Sequence, residues 1–458
     1  MGKINRRELF ALILILLAFL SMFVNLGVLE PVGDEPLRLT LAYEMYLRGD
    51  FFQPTRLGAY YFNKPPMFMW LTILSSKIVG WNVLTVRILS VFFTFFSSLA
   101  VIFFSYKVFK NSLLAFICGL SFITFGDILF FYGYLGEIDA TFTFFIAVMM
   151  FLQYLGFTKE NGSFIVMSGV VAGLAFLLKG FNAYGFFGLT FLGLSIYYRE
   201  YFKLFSKPFI VSYILAVLIP AAWLIQTVSP VDYLKMMFFE VAMRAEGSKD
   251  FHKFFTHLIS FPIQNIKQTL LTSLLVLFVL VRYKVQILKH PIKAFLLIIL
   301  INYVPYLLFA GGKGMYTVDA RYILPLLPFV AVVFGYILNK PQKDWIIRTF
   351  FVLSIISILL RFVYGLVVIP EKSKKYGSIE KISADIVSII DKNQKIACSC
   401  NEFKAVCFFV ERDLKKIVGF PFVYPDWKYL ITCSDYKDGK LIKSYEYKGG
   451  LIELYERK

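Results

Sequence analysis

About eleven apolar runs, most of them close to the ~20 residues needed to cross a hydrocarbon core, restrict this chain more than any other feature. They comprise the N-terminal run to Leu29 and the segments 84–106, 112–132, 139–157, 163–178, 180–198, 208–228, 266–283, 292–310, 320–338 and 346–369. With 58% hydrophobic and 17% charged residues, a soluble globule is excluded. The formal charge of +18 does not imply a nucleic-acid partner, because membrane proteins collect Lys and Arg in their cytoplasmic loops. The N-terminal run is longer than a signal-peptide core and no small-residue cleavage site follows it, so an uncleaved first span is expected.

Charge also decides the topology. Segment 67–80 is apolar but short. If it does not cross, the basic loops Lys107–Lys110, Lys159, Arg199–Lys207, Arg282–Lys293 and Lys340–Lys343 all fall on the side of the N-terminal Lys3, Arg6 and Arg7. If it crosses, they all fall outside, against the positive-inside rule. The expected arrangement is therefore a multi-pass plasma (inner) membrane protein with a cytoplasmic N-terminus. An outer loop at 30–83, a second at 229–265 and everything beyond Pro370 then lie on the extracytoplasmic face.

The loop 30–83 holds the first long polar stretch, and an adjacent acid pair, Asp34 and Glu35, opens it. Pro36 suits the first turn of a helix and Asp34 its N-cap. Leu37, Leu41, Ala42, Met45 and Tyr46 then form a stripe that suggests a helix lying on the membrane surface. An ordinary capped helix explains the same residues.

Further ionisable groups fall on the same expected face. Asp139 sits where a span begins and either caps it or takes part in chemistry, whereas Glu137 is closer to the loop and expected to be solvated. Lys179 interrupts a long apolar run and either snorkels to the interface or binds a ligand. Lys64 precedes Pro65 and Pro66; taken singly, it is a solvated lysine. Arg244 lies in the second outer loop with His252 and His257, whose spacing does not suit a metal pair on one helix. Lys313 lies in a glycine-bearing loop, after which Arg321 and Tyr322 begin the next span as interface anchors or as partners of a phosphate.

Beyond Pro370 the apolar runs shorten. Ser378–Asp391 reads as an amphipathic helix, and KIACS, KKIVGF, YLITCS and SYEYKGGLIELYE read as strands, giving a small soluble α/β domain over 370–458. Four of the five cysteines, Cys398, Cys400, Cys407 and Cys433, lie there without a CxxC pair. One disulfide is compatible with an extracytoplasmic location, and a zinc site is not expected.

The stretch GDEPLRLTLAYEMYLRGDFFQPTRLGAYYFNKPPMFMWL, with VRILSV after it, resembles the polyprenyl-phosphate-sugar-dependent GT-C glycosyltransferases. The branch it resembles contains the lipid A aminoarabinose transferase and protein O-mannosyltransferases. EIDATFTFF, LAFLLKGFNAYG and RYILPLLP resemble further segments of that branch, so the likeness covers about residues 8–340. It implies an all-α polytopic fold of about 11–13 transmembrane helices and an inverting transfer of sugar from a polyprenyl (undecaprenyl) phosphate carrier. The acceptor would be a hydroxyl or phosphate on a glycolipid such as lipid A, a glycan or a protein. Asp34 matches the acid at the catalytic centre and Asp139 the second outer acid. Lys64 and Arg244 match groups that bind the lipid-linked phosphate, with Glu35, Lys179, Arg321 and Tyr322 as further substrate-binding candidates. The chain carries Asn63 where the aminoarabinose branch has an acid, which leaves the sugar and any divalent metal ion open. A polytopic transporter or flippase of lipid-linked sugars is the alternative from another class.

Overall fold

The computed structural model describes residues 5–246, 250–309, 318–376, 378–434, 436 and 438–457. Each long apolar run contains a helix, because within a bilayer every backbone N–H and C=O must be paired inside its own segment. Helix α1 (Arg6–Phe23) opens with a capping box between Asn5 and Glu8. Helix α2 (Glu35–Arg48), the hairpin β1 (Thr55–Arg56) and β2 (Ala59–Tyr60), and α3 (Met67–Val79) precede α4 (Leu84–Phe109). Then come α5 (Ser112–Ile123), a π-turn at Ile128–Tyr132, α6 (Ile138–Thr158), α7 (Gly162–Lys179), α8 (Phe181–Tyr198) and α9 (Lys207–Leu224). Helices α10 (Pro230–Glu246) and α11 (Phe251–Lys267) lead to α12 (Leu270–Tyr283) and α13 (Ile292–Leu308). A 3-10 turn at Ala320–Leu326 runs into α14 (Leu327–Asn339), followed by α15 (Asp344–Val363) and α16 (Ile369–Tyr376).

Among the described residues six helical segments are long and apolar enough to cross a membrane, or seven if the α11–α12 pair, bent by 94°, counts as one broken span. The remaining expected spans coincide with four other helices: α5 and α13 are shorter, α1 carries three charged residues at its start, and α8 is long and uncharged but made less apolar by its Asn, Tyr, Gly, Thr and Ser residues. The run 112–132 is not one helix, since α5 stops at Ile123 and only the π-turn continues it.

The bundle has two distinguishable ends. At one, Arg7 at the start of α1 makes a two-bond pair with Asp344 at the start of α15, at 3.0 and 2.7 Å. Glu8 accepts from Ser112 at the start of α5 there as well. At the other end Arg87, near the start of α4, is fully buried against Glu35. Its Nε and Nη2 donate to the two Glu35 oxygens at 2.8 and 2.7 Å. Its remaining N–H groups reach the carbonyls of Leu26, Leu29 and Glu30 at 2.8, 2.8 and 3.1 Å. Glu35 in turn accepts from the amides of Val32 and Gly136 at 2.8 and 2.7 Å. One ion pair thus joins the end of α1, the start of α2, α4 and the turn before α6.

Helix α3 is about 20 Å long at 1.5 Å per residue, well short of the ~30 Å core. Both flanks of α3 are at the Arg87 end, since Lys64 before it lies beside Asp34 and Arg87 follows it, so α3 does not cross the bundle. Helix α2 departs from the membrane-surface expectation. Glu35 to Met45 are buried apart from half-buried Leu37, because α3 packs on one side and the C-terminal domain on another.

That domain holds α17 (Ile379–Ile389), β3 (Ile396–Ser399), α18 (Ala405–Leu414), β4 (Tyr429–Thr432), β5 (Gly439–Tyr447) and β6 (Gly450–Arg457). Its sheet order is β3-β4-β6-β5. Strands β3 and β4 are parallel, joined through α18, and the other pairs are antiparallel. KKIVGF does not form a strand and contributes only a bridge between Gly419 and Ala397. Two disulfides form rather than one, Cys398–Cys407 and Cys400–Cys433, while Cys118 is free and buried in the bundle.

The hydrophobic core runs without a break from α1 to β6. Hydrogen bonds cross the junction: Tyr43 Oη donates to the Arg412 carbonyl at 3.3 Å and the Phe420 amide to the Leu57 carbonyl at 2.9 Å. The two-residue turn of the β1–β2 hairpin, Leu57 and Gly58, has φ of 48° and 74°, as a twisted hairpin requires. Glu44 on α2 holds it by accepting from Thr55 Oγ1 at 2.7 Å and from the amides of Leu57 and Gly58.

Replacing Arg87 with Met keeps the aliphatic volume but leaves Glu35 buried without its counter-charge. We expect a loss of about 3–5 kcal/mol, as for other broken buried pairs, measurable as a lower thermal midpoint in detergent. A midpoint equal to wild type would show that the pair does not hold this end together.

Candidate active site

At the Arg87 end a cavity of about 430 Å³ opens between α2, the β1–β2 hairpin, α6, α7, α10, the start of α14 and the C-terminal domain. Asp34 precedes α2 at the N-cap position, but its carboxylate makes no capping hydrogen bond. It turns into the cavity, 3.4 Å from Arg38 Nη2, and retains 39% side-chain exposure. Its own amide donates to Glu137 Oε1 at 3.0 Å. Gly33 makes this approach feasible, since a Cβ there would lie 2.6 Å from the same Glu137 oxygen. Glu137 is therefore a buried member of the wall, 8% exposed, and not the solvated loop acid expected. Asp139, in the first turn of α6, pairs with Lys179 at the end of α7 at 2.5 Å. The Lys179 ammonium also lies over the rings of Phe142 and Tyr322, at 5.3 and 5.0 Å.

A second cluster faces the acids. Lys64 Nζ binds Glu240 Oε2 on α10 at 2.5 Å, and Arg244, one turn further, reaches the same carboxylate oxygen at 3.4 Å. Arg244 Nε donates to Tyr322 Oη at 2.9 Å. Arg321 lies 3.4 Å from Asp319 and 5.6 Å from the centre of the Tyr322 ring. Arg38 is 4% exposed; although Tyr61 is beside it, its Nε and Nη1 make no well-formed hydrogen bond. Buried guanidinium donors without acceptors are costly, and in a cavity wall they call for an anion.

The charges act on one another. Burial would raise the Asp34 carboxyl, but Arg38, Arg321, Lys404 and Lys64 outweigh it and hold its pKa below the usual value. Burial, reinforced by Asp34 and Asp139, pushes Glu137 up to about 7. Burial lowers Lys64 to about 8 against the pull of Glu240, with Arg38 and Arg244 adding to the drop.

Seven of the sequence candidates thus share one cavity: Asp34, Lys64, Asp139, Lys179, Arg244, Arg321 and Tyr322. Glu35 does not join them; the Arg87 pair takes its carboxylate into the core, so it is a structural anchor rather than a substrate ligand. His257 donates from Nε2 to the Tyr306 carbonyl at 3.0 Å and His252 is exposed, both outside the cavity wall. Lys313 lies outside the described residues. Arg38, Arg56, Tyr61, Glu240 and Lys404 line the cavity without having been singled out. Of these, only Arg38 and Glu240 carried a signal, an acid–base spacing of four with Asp34 and with Arg244. Among the described residues no three His, Cys, Asp or Glu side chains converge as a metal-ligand set. The cavity carboxylates are engaged with cations or amides, and no step below is routed through a metal.

Residues 63–225 match the family model described as dolichyl-phosphate-mannose-protein mannosyltransferase. The chain is 28% identical over 255 residues to an undecaprenyl phosphate-alpha-4-amino-4-deoxy-L-arabinose arabinosyl transferase of Pseudomonas paraeruginosa, covering 54% of this chain and 45% of the relative. It is 27% identical over 198 residues to the enzyme of that name from Photorhabdus laumondii, covering 42% and 35%. The chain thus spans about half the length, or less, of these curated relatives. The crystal structure of ArnT from Cupriavidus metallidurans bound to undecaprenyl phosphate superposes with a TM-score of 0.72 at 12% identity, covering 97% of both chains. The apo form of that protein gives 0.70 at 13% identity, again covering 97% of both chains. The fold is that of an ArnT-like GT-C transferase.

Because the folded pKa of Glu137 lies above its unfolded value, the fold favours the protonated form. That contribution is complete below the ordinary carboxylate range and is lost as pH rises through about 7. Thermal unfolding from pH 5 to pH 8 should therefore fall more steeply for wild type than for Glu137→Gln, with the variant the more stable at pH 8. Parallel curves would mean that Glu137 titrates normally.

Proposed function

We propose that this protein is an integral membrane glycosyltransferase that moves a sugar from a polyprenyl-phosphate carrier, of the undecaprenyl phosphate type, to a hydroxyl or phosphate acceptor. Glycolipid, glycan and protein acceptors all fit. The reaction takes place on the extracytoplasmic face of the inner membrane, with the N-terminus cytoplasmic. The observation that carries this reading is the cavity itself. It gathers Asp34, Glu137 and Asp139 with Lys64, Arg244 and Tyr322 and with the buried Arg38 guanidinium, whose Nε and Nη1 make no well-formed hydrogen bond. The ArnT-like fold and the names of the relatives support it independently. The ionisable groups gather at one end of the bundle, which favours transfer over carriage across the membrane.

In the reaction, an acceptor oxygen attacks the anomeric carbon from the side opposite the carrier phosphate. The new C–O bond forms as the old one breaks, and the electron pair stays on the phosphate oxygen. A single displacement of this kind inverts the anomeric centre. Lys64, Arg244 and the Tyr322 hydroxyl receive the phosphate as its charge grows, which is where fixed cations contribute most to rate. Glu240 holds Lys64 and Arg244 side by side through one carboxylate oxygen, ready for that anion. Asp34 is ionised at neutral pH and the more accessible of the acids, so it takes the proton when the acceptor is a hydroxyl. Asp139 fixes Lys179 against Tyr322 and thereby supports the phosphate side.

The test is a transfer assay in detergent with undecaprenyl-phosphate-linked sugars and crude envelope acceptors. Asp34→Asn should slow release of undecaprenyl phosphate by about 10²–10⁴-fold, the usual share of a general base, while binding of the carrier persists. Lys64→Ala should raise the donor KM about tenfold and leave the acceptor KM unchanged. Wild-type donor affinity should also weaken above about pH 8, where Lys64 loses its proton. Full activity in Asp34→Asn would remove this residue from the mechanism, and no release with any donor would remove the reaction class.

A further inference from the structure

The wall of the cavity opposite α10 is built partly by the C-terminal domain. Lys404, in the turn between β3 and α18, lines both the cavity and a small cleft leading off it. Arg56, on β1, lines the same two spaces. The two are physically linked: Arg56 Nη2 donates to the side chain of Asn401, three residues before Lys404, at 2.9 Å. The Arg56 guanidinium also lies 5.4 Å above the Phe420 ring of the C-terminal domain.

Charge pairing sets this pair of cations apart. Lys64 and Arg244 share Glu240, Lys179 has Asp139, Arg38 has Asp34 and Arg321 has Asp319. Among the described residues neither Arg56 nor Lys404 has a carboxylate within ion-pair distance. Arg56 feels Glu44 and Asp34, and Asp34 feels Lys404, only from beyond ion-pair distance. Both are also held in place. Glu44 pins the hairpin turn next to Arg56 through three hydrogen bonds. Cys398–Cys407 bridges the two sides of the Lys404 turn, and Cys400–Cys433 ties its first residue to the end of β4. Two cations without an ion-pair partner, on braced turns in the wall of a reaction cavity, form a preorganised anion site.

We propose that Arg56 and Lys404 form a second anion subsite, separate from the Lys64–Arg244–Tyr322 cluster, which binds a phosphate or carboxylate group of the acceptor. The C-terminal domain is then the acceptor-reading arm of the protein, with the disulfides holding Lys404 in register. This rests on the transfer reading above. It deepens that reading by assigning the acceptor an anionic group within reach of Asp34.

The experiment uses the full-length protein, purified in detergent under oxidising conditions and saturated with undecaprenyl phosphate. Inorganic phosphate is then titrated as the probe and followed by calorimetry. Loaded wild type should bind phosphate, and Lys404→Met and Arg56→Met should each weaken that binding about tenfold, with undecaprenyl phosphate affinity held within about twofold. Retained carrier binding and an unchanged thermal midpoint show that the variants fold. The double variant Cys398→Ser/Cys407→Ser should show the same loss of phosphate affinity. Equal phosphate affinity in wild type and Lys404→Met, or no phosphate binding by the loaded wild type, would overturn the subsite. A Lys404→Met defect confined to undecaprenyl diphosphate would assign the anion to the donor and overturn the acceptor role. If wild type fails to bind undecaprenyl phosphate, the transfer reading falls. Phosphate titrated into unloaded wild type and Lys404→Met then still decides whether the subsite exists.

Discussion

The buried pair of Glu35 and Arg87 is the interaction on which the site depends. A charged pair taken wholly out of water recovers its desolvation cost only if every donor and acceptor is used. Here all five guanidinium N–H groups find oxygens, two on Glu35 and three on the chain between α1 and α2. Glu35 adds the amide of Gly136. Its neighbour in sequence is Asp34, and the neighbour of Gly136 is Glu137. The separation of the two cavity acids is therefore fixed by this neighbouring pair together with the direct hydrogen bond from the Asp34 amide to Glu137. Small displacements at such a lock would move both acids at once, which fits its place where four segments meet.

Much of this was legible in the sequence, and the failures are physical. Apolar runs marked the helices because a bilayer leaves few other solutions. Asp34, Lys64, Asp139 and Lys179 stood out as ionisable groups at the borders of those runs. Glu35 was misread because two adjacent acids look equivalent in a string, although a helix start points them to different sides, one to the cavity and one to Arg87. Glu137 was misread for the reverse reason: a loop acid is normally solvated, and only the approach of Gly33 and Asp34 buries it. Arg56 and Lys404 carry no local signal, since their meaning comes from a chain crossing more than three hundred residues long. The burial of α2 was hidden too, because its apolar stripe cannot say whether lipid, α3 or the C-terminal domain covers it.

The site is consequently composite. Neither the helical bundle nor the C-terminal domain closes the cavity alone, and the continuous core between them makes the two parts one folding unit at this end. The hairpin between α2 and α3 is the go-between. Glu44 holds it from the bundle side, while Phe420 and Asn401 hold it from the other.

Two donors of the buried Arg38 guanidinium, Nε and Nη1, make no well-formed hydrogen bond, so an anion beside them would meet groups already taken out of water. Folding has already desolvated that guanidinium, and a bound anion adds hydrogen bonds without repeating the cost. An occupant that binds only the folded chain raises stability by RT ln(1 + [L]/Kd), about 2.7 kcal/mol at a hundredfold excess over Kd. Heat resistance then becomes a gauge of occupancy. Ranking lipid-linked sugars by the melting temperature they confer would identify the natural donor without first knowing the acceptor.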